Sequence, residues 1–198
     1  MTRTVYYTAT SLDGFIATTD HSLDWLLSRD SDAAGPMGYD AFIAGVGAMA
    51  MGGNTHRWVR EHEPDWSPER PTWVFTRREF SPPPGADVRA TADDVGRVHA
   101  EMVRAAGGKD VWVVGGGDLA GQFADRGLLD EVVVSIAPVT LGGGAPLLPR
   151  RVELEVVESA RNGEFVCVRY AVRAVKAWAE DHMDDVLAHR SAHDRPGA

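Results

Sequence analysis

Val111-Trp112-Val113-Val114-Gly115-Gly116-Gly117-Asp118-Leu119-Ala120 is an apolar run that ends abruptly in three glycines. Its β-branched and aromatic residues suit a strand buried in a parallel sheet, and the glycines let the chain turn sharply into a helix that begins near Asp118. Amides freed of side chains, together with the positive end of a helix dipole, hold a phosphate or pyrophosphate without a dedicated cation. Gly115-x-Gly117-x-x-Ala120 also meets the relaxed dinucleotide fingerprint. An ordinary Rossmann domain, however, places an acidic residue about 20 positions further on, at the end of the next strand. That strand, Glu131 to Ala137, runs out in Ser135-Ile136-Ala137-Pro138 with no carboxylate, and the motif lies past the middle of the chain. Two readings stay open: a phosphate-binding turn in another α/β fold, or glycines that only permit close strand-to-helix packing.

Length and composition bound the rest. A chain of 198 residues, 44% of them hydrophobic, makes one domain with one sizeable core. Twenty basic residues against 29 acidic ones give a net charge of -9 and a pI near 5.2. No basic run exceeds two residues, which argues against nucleic acid as a partner. Cys167, between two valines, reads as a buried inert thiol, and a single cysteine builds no internal disulfide framework. Neither a basic start with an apolar core behind it nor a run approaching about 18 apolar residues occurs, so a cytoplasmic protein without a membrane partner is expected.

Working outward, the helical period Val95, Val98, Met102, Ala105 precedes the central run; Thr91-Ala92-Asp93-Asp94 opens it like a capping box and Gly107-Gly108 stops it. Further upstream are a strand at Thr72 to Thr76 followed by Arg77-Arg78, a proline loop at Ser81 to Gly85, and a short strand at Ala86 to Ala90. Ala48 to Met51 reads as a short buried strand. Gly52-Gly53-Asn54-Thr55 then makes a second glycine turn into a helix through His56, Trp58 and Val59. Tyr39, Phe42, Ile43 and Val46 fall on one helical face that Gly45 and Gly47 end. Thr18 to Pro36 is a long loop pinned by Trp25. In Thr4 to Thr10 and Ser11 to Ala17, Asp13-Gly14 is either a tight hairpin turn or a bend in a loop crossing a pocket mouth.

Downstream, Leu119 and Phe123 mark a helix closed by Gly127, and Pro138 to Pro146 is a third glycine-rich loop. Val152 to Ala160 and Glu164 to Val175 form a hairpin with Asn162-Gly163 at its tip. Alternating strands and helices predict an α/β sheet covered on both faces, with the last hairpin adding antiparallel strands at one edge. Residues 1–176 make one domain and 177–198 a polar tail. In the tail, Trp178, Met183, Val186 and Leu187 could dock a short helix, while His182, His189 and His193 lack metal-site spacing.

Ser11-Leu12-Asp13-Gly14-Phe15-Ile16-Ala17 resembles the first strand and loop of the dihydrofolate reductase superfamily. The resemblance is strongest to the branch containing the carboxyl-terminal reductase domain of bifunctional riboflavin-biosynthesis proteins. Met51-Gly52-Gly53-Asn54-Thr55 resembles that family's Met-Gly-Arg-x-Thr turn. Val114-Gly115-Gly116-Gly117, Leu128-Leu129-Asp130-Glu131, and Ile136-Ala137-Pro138-Val139 with Gly142 to Gly144 follow in the family's order and spacing. The resemblance runs from about Thr4 to Val175.

It implies a dihydrofolate reductase-like, mostly parallel sheet flanked by helices, and an NADPH-dependent reductase. The nicotinamide would lie against Ala9 and Ile16. The phosphates would lie on Gly52, Gly53, Asn54 and Thr55 and on Val114, Gly115, Gly116, Gly117, Asp118 and Leu119, with Thr76, Arg77 and Arg78 as further contacts. Gly53 stands where the family has an arginine that helps bind the extra phosphate of NADPH, and locally Arg77-Arg78 reads equally as a solvated pair. The helix that carries the substrate acid in folate reducers offers only Asp40, so dihydrofolate itself is not the expected substrate.

The nicotinamide carries the hydride chemistry, and the protein supplies orientation, a dry pocket and a proton source. Asp13 is the candidate for contacting or protonating the substrate, or alternatively a loop-capping carboxylate; Trp25 and Phe42 line the pocket or belong to the core. No Ser-His-Asp or Cys-His set points to hydrolysis. The expected activity is reduction of a small pterin-like, pyrimidine-like or other heterocyclic substrate, the alternative being a nucleotide-binding protein of the same fold without turnover. A homodimer is implied, since relatives commonly dimerise and the apolar positions Leu154, Val156, Val166, Val168 and Tyr170 need cover, the alternative being that the tail from Ala177 folds over them within one chain.

Overall fold

The computed structural model describes residues 1–173. The central run forms β6 (Asp110–Gly115), flanked by β3 (Val46–Gly52) and β1 (Thr4–Ser11). Outside β3 lie β4 (Thr72–Phe75) and β5 (Val88–Thr91); outside β1 lie β7 (Glu131–Ala137), β10 (Phe165–Arg173) and β9 (Glu153–Asn162). The eight strands run β5-β4-β3-β6-β1-β7-β10-β9, parallel as far as β7, with the final hairpin antiparallel at the edge.

Alternation along the strands separates two cores. Tyr6, Ala48, Ala50, Val111, Val113 and Val132 pack beneath α4 (Val95–Ala105) and α5 (Gly117–Asp125), through Val98, Met102, Leu119 and Phe123. On the opposite face, Met49, Met51, Val74, Trp112 and Val114 meet Phe42 and Ile43 of α2 (Tyr39–Ala44), and Trp66 beyond α3 (Gly53–His62). Cover on both faces is why the central strands read as unbroken apolar runs. A third cluster, Trp25 of α1 (Asp24–Leu27) with Ala137, Phe165 and Cys167, joins the long loop to the turn end of the final hairpin.

Three local expectations are corrected, and one left open is decided. Asp94, not Thr91, caps α4: its Oδ1 accepts from Gly96 N at 2.9 Å. Thr91 is held in the parallel ladder opposite Phe75, so no helix can begin until the chain clears the sheet. Of the two readings of Asp13-Gly14, the loop bend holds and the tight hairpin does not: β2 (Phe15–Ala17) forms no ladder with β1, whose end beside the bend pairs with β7 alone. Instead β2 pairs with the short β8 (Ala145–Pro146). Val46 opens β3 rather than closing α2, and Gly47 lies within that strand, where a Cβ would stand 2.1 Å from Ala106 O. The hairpin turn is Gly163-Glu164, with Asn162 still in β9 opposite Phe165. The tail and its three histidines lie outside the described residues. Among those described, no helix is long and apolar enough to cross a membrane.

Candidate active site

Strands β3 and β6 are parallel neighbours, with Met51 beside Gly115. Each ends in glycines and leads into a helix, but α3 leaves toward one face of the sheet and α5 toward the other. Such a divergence at the carboxyl ends of parallel strands opens a crevice, with two helix amino termini facing it. A cleft of about 670 Å³ occupies this place.

The three central glycines are there for three different reasons. At Gly115 a Cβ would stand 3.1 Å from Thr55 Oγ1, so this glycine lets the two turns touch. Gly116 has φ 36° and ψ 133°, lines the cleft, and has no atom within 4 Å of where a Cβ would be. At Gly117 a Cβ would stand 2.1 Å from Pro146 O, so β8 closes directly onto the first turn of α5. Gly116 therefore provides an open cradle of backbone on the cleft side, and Gly117 provides packing behind it.

Thr8 and Ala9 of β1 and Ile16 and Ala17 of β2 also line the cleft. The β1–β2 loop is tied down by Thr10 Oγ1 donating to Phe15 O at 3.2 Å and by Phe15 N donating to Ser11 Oγ at 3.0 Å. Asp13 stands outside the cleft wall. Its carboxylate accepts from Ser11 Oγ at 2.6 Å, Leu141 N at 3.0 Å and Gly142 N at 2.7 Å. These donors, Ser11 foremost, hold its carboxyl below the usual range.

The outer end of the cleft lies between two walls. One is the segment Asp20 to Asp24 with Leu26; the other is the face of α3 bearing Asn54, Trp58, Glu61 and His62, with Arg57 beside it. These α3 positions recur at helical spacing along one side. The Trp58 and His62 rings stack with centroids 4.2 Å apart, and Arg57 donates to Asn54 Oδ1 at 2.7 Å. Three carboxylates (Asp20, Asp24 and Glu61) thus share this end with one guanidinium.

Of the residues expected from sequence, Ala9, Ile16, Asn54, Thr55, Val114, Gly115 and Gly116 come together in the cleft. Gly52 and Gly53 lie behind it in the turn, where a Cβ on Gly53 would stand 2.9 Å from Thr76 Oγ1. Gly117 and Leu119 are buried, Leu119 in the core under α5, while Asp118 points outward to Arg150 at 2.8 Å. Arg77 and Arg78 are exposed beyond β4, Arg78 N donating to Thr76 Oγ1 at 3.1 Å. Trp25 is 9% exposed in the third core cluster, Phe42 stacks on Tyr7 at 4.1 Å, and Asp40 is exposed in the first turn of α2. Sequence reasoning missed Thr8, Asp20, His21, Asp24, Arg57, Trp58, Glu61 and His62. The α3 set had a signal in its helical spacing; the Asp20–Asp24 segment had none.

The family model described as the RibD C-terminal domain matches residues 4–168. YwjB of Bacillus subtilis (strain 168), a protein described as uncharacterized, is 32% identical over 177 residues, spanning 87% of this chain and 98% of its own. The riboflavin biosynthesis protein RibD of Corynebacterium ammoniagenes is 31% identical over 155 residues, 71% of this chain but only 44% of its own length. Among solved structures, a protein of Shewanella sp. PV-4, assigned provisionally to riboflavin biosynthesis, superposes with a TM-score of 0.73 at 28% identity. The match covers 86% of this chain and 99% of that one. A diaminohydroxyphosphoribosylaminopyrimidine deaminase/5-amino-6-(5-phosphoribosylamino)uracil reductase of Thermotoga maritima shares the fold, with a TM-score of 0.60 at 16% identity over 87% of this chain and 57% of its own.

Proposed function

The chain belongs to the RibD C-terminal domain family, and on that premise we propose that it is an NADPH-dependent reductase of a small pterin-like, pyrimidine-like or other heterocyclic substrate. One observation carries this: two glycine-opened helices start at the same switch point, and their amino termini face a single cleft that reaches the end of β1. The cradle at Gly116 fits a dinucleotide pyrophosphate, because backbone without a side chain borders open space there.

In this reading Asn54, Thr55, Gly115 and Gly116 hold the phosphates, Ala9 and Ile16 lie against the nicotinamide, and Thr76, Arg77 and Arg78 receive the far end of the cofactor. A reduced nicotinamide, when bound, supplies the hydride. The chain's own residues orient and enclose the reactants: Ile16, Leu23 and Leu26 limit water, and His21, His62 and the outer carboxylates give the proton a path from solvent. Asp13 acts on the site through the loop at Leu141 and Gly142. Three carboxylates against one guanidinium already bonded to Asn54 favour a neutral or amino-bearing ring over a phosphorylated one at this end.

The protein on this reading is cytoplasmic and a homodimer that covers β9. A second reading, nucleotide binding without turnover, draws on Gly53, which takes the place of the resembled family's phosphate-binding arginine and lies against Thr76. Titrating the protein with NADPH and then following loss of reduced-nicotinamide absorbance across a panel of heterocycles tests both. Binding with turnover of a panel member is expected, binding with none leaves the second reading, and failure to bind NADPH overturns both.

A further inference from the structure

Between β2 and α2 the chain has only the four residues of α1 as regular structure, yet this segment supplies Asp20, Asp24 and Leu26 to the outer wall of the cleft. So little local structure keeps a fixed shape only when something more rigid holds it. The holder is the β9–β10 turn, 130 residues later in the chain.

Asn162 is 6% exposed, and its amide is wholly engaged with this segment. Oδ1 accepts from Asp32 N at 2.8 Å, and Nδ2 donates to Asp32 O at 2.9 Å and to Pro36 O at 3.1 Å. Gly163 lies so close that a Cβ would stand 2.2 Å from Asp30 O. Glu164 N donates to that same oxygen at 3.0 Å, while its carboxylate accepts from Asp30 N at 2.9 Å and Arg29 Nη1 at 3.2 Å. Arg29 passes the connection on: its Nε donates to Trp25 O at 3.1 Å, and Trp25 packs with Phe165 and Cys167 of β10. Leu26, the next residue, faces the cleft.

We propose that the β9–β10 turn, through Asn162 and Glu164, positions the outer wall of the cleft and so sets where α1 presents Asp24 and Leu26 to the substrate. The identity of the site rests on the reductase reading. The phosphate-side turns at Gly115 and Thr55 share no bond with this clamp, so substrate recognition and cofactor binding are set by separate parts of the fold. Asn162 is a positioning residue: it reaches the site only through the segment it holds.

The test uses Asn162→Ala, which leaves three backbone groups of the segment without their partners, and Glu164→Ala, which cuts the exposed branch of the clamp and keeps the protein folded should the first variant fail to fold. Amide hydrogen exchange is measured with NADPH bound, alongside NADPH affinity and steady-state kinetics on a turned-over panel heterocycle. Exchange is expected to accelerate at least tenfold for residues 29–37 and also for 22–27. KM should rise at least tenfold, with kcat and NADPH affinity within twofold of wild type; Glu164→Ala moves the same quantities in the same direction by less. Three results overturn the inference: unchanged exchange at 22–27 in both variants, an unchanged KM, or an equal loss of NADPH affinity. If no heterocycle is turned over, the reductase reading falls while the exchange data still decide the clamp.

Discussion

Gly116→Ala separates binding from folding at the central turn. With φ 36° and ψ 133°, Gly116 occupies backbone space that L residues rarely enter, at a cost of about 1–3 kcal/mol for a side chain. Nothing lies within 4 Å of the new methyl group, so no packing penalty adds to that strain. For a chain of this size each kcal/mol lowers Tm by about 2–4 °C, which leaves a folded protein to assay. On the proposed reading binding suffers more: the methyl would enter the phosphate cradle, and loss of one charge-assisted hydrogen bond of about 1.5–3 kcal/mol corresponds to about ten- to a hundredfold in affinity.

Two neighbouring glycines serve as controls. Gly127, beyond the far end of α5, also has a positive φ (65°) and open space around it, so Gly127→Ala should cost about 1–2 kcal/mol and leave NADPH affinity unchanged. Gly117→Ala would force a Cβ to 2.1 Å from Pro146 O and should prevent stable folding. Thermal melts and NADPH fluorescence titrations on the three variants, with Gly116→Val as the bulkier probe, decide the matter. A folded Gly116→Val protein with wild-type affinity refutes the phosphate assignment.

Arg77→Ala combined with Arg78→Ala should lower NADPH affinity about ten- to a hundredfold and leave NADH affinity unchanged, since only the extra phosphate needs a cation; equal titrations for both proteins would remove these arginines from the site. Ser11, Leu141 and Gly142 hold the Asp13 carboxyl below its usual range, so Asp13 contributes stability above the unfolded value of about 3.9 and loses it as pH falls through the lower folded value. The stability gap between wild type and Asp13→Asn, read by denaturant melts, should therefore be constant from about pH 5 upward and close below about pH 4; a gap independent of pH contradicts the assignment. Val156 and Val157 on β9 are 62% and 57% exposed in the single chain, and light scattering should give the mass of two chains for wild type and of one for Val156→Lys, a monomeric wild type ruling the interface out.

Contiguous signals were the legible ones. A strand, its glycines and the helix that follows are neighbours in the chain, so β3 with Gly52–Thr55 and β6 with Gly115–Gly117 could be recognised as junctions, and Asn54, Thr55, Gly115 and Gly116 from them line the cleft. Competition for space was not legible. Thr91 looks like a cap until the ladder with Phe75 claims it, and Asp13-Gly14 looks like a hairpin turn until β8, far downstream, takes β2 as its partner. Nor does a run of glycines say why each is there: at Gly115 the reason is Thr55, at Gly116 the backbone angle and at Gly117 the carbonyl of Pro146. Two of those three reasons involve residues far away in sequence.

The same distinction divides the cleft. The half assigned to the cofactor comes from strand-turn-helix units, whose geometry follows from a few adjacent residues. Its outer half comes from one face of α3, the segment Asp20 to Leu26, and the hairpin turn that holds this segment in place, three separate regions whose meeting no local signal announces. Substitutions there can reshape the wall without disturbing Gly115, Gly116 or Thr55, because none of the clamp's bonds reaches those residues. On the proposed reading, then, the glycine turns hold the cofactor, and what selects the heterocycle is to be sought at Asp20, Asp24, Trp58 and Glu61.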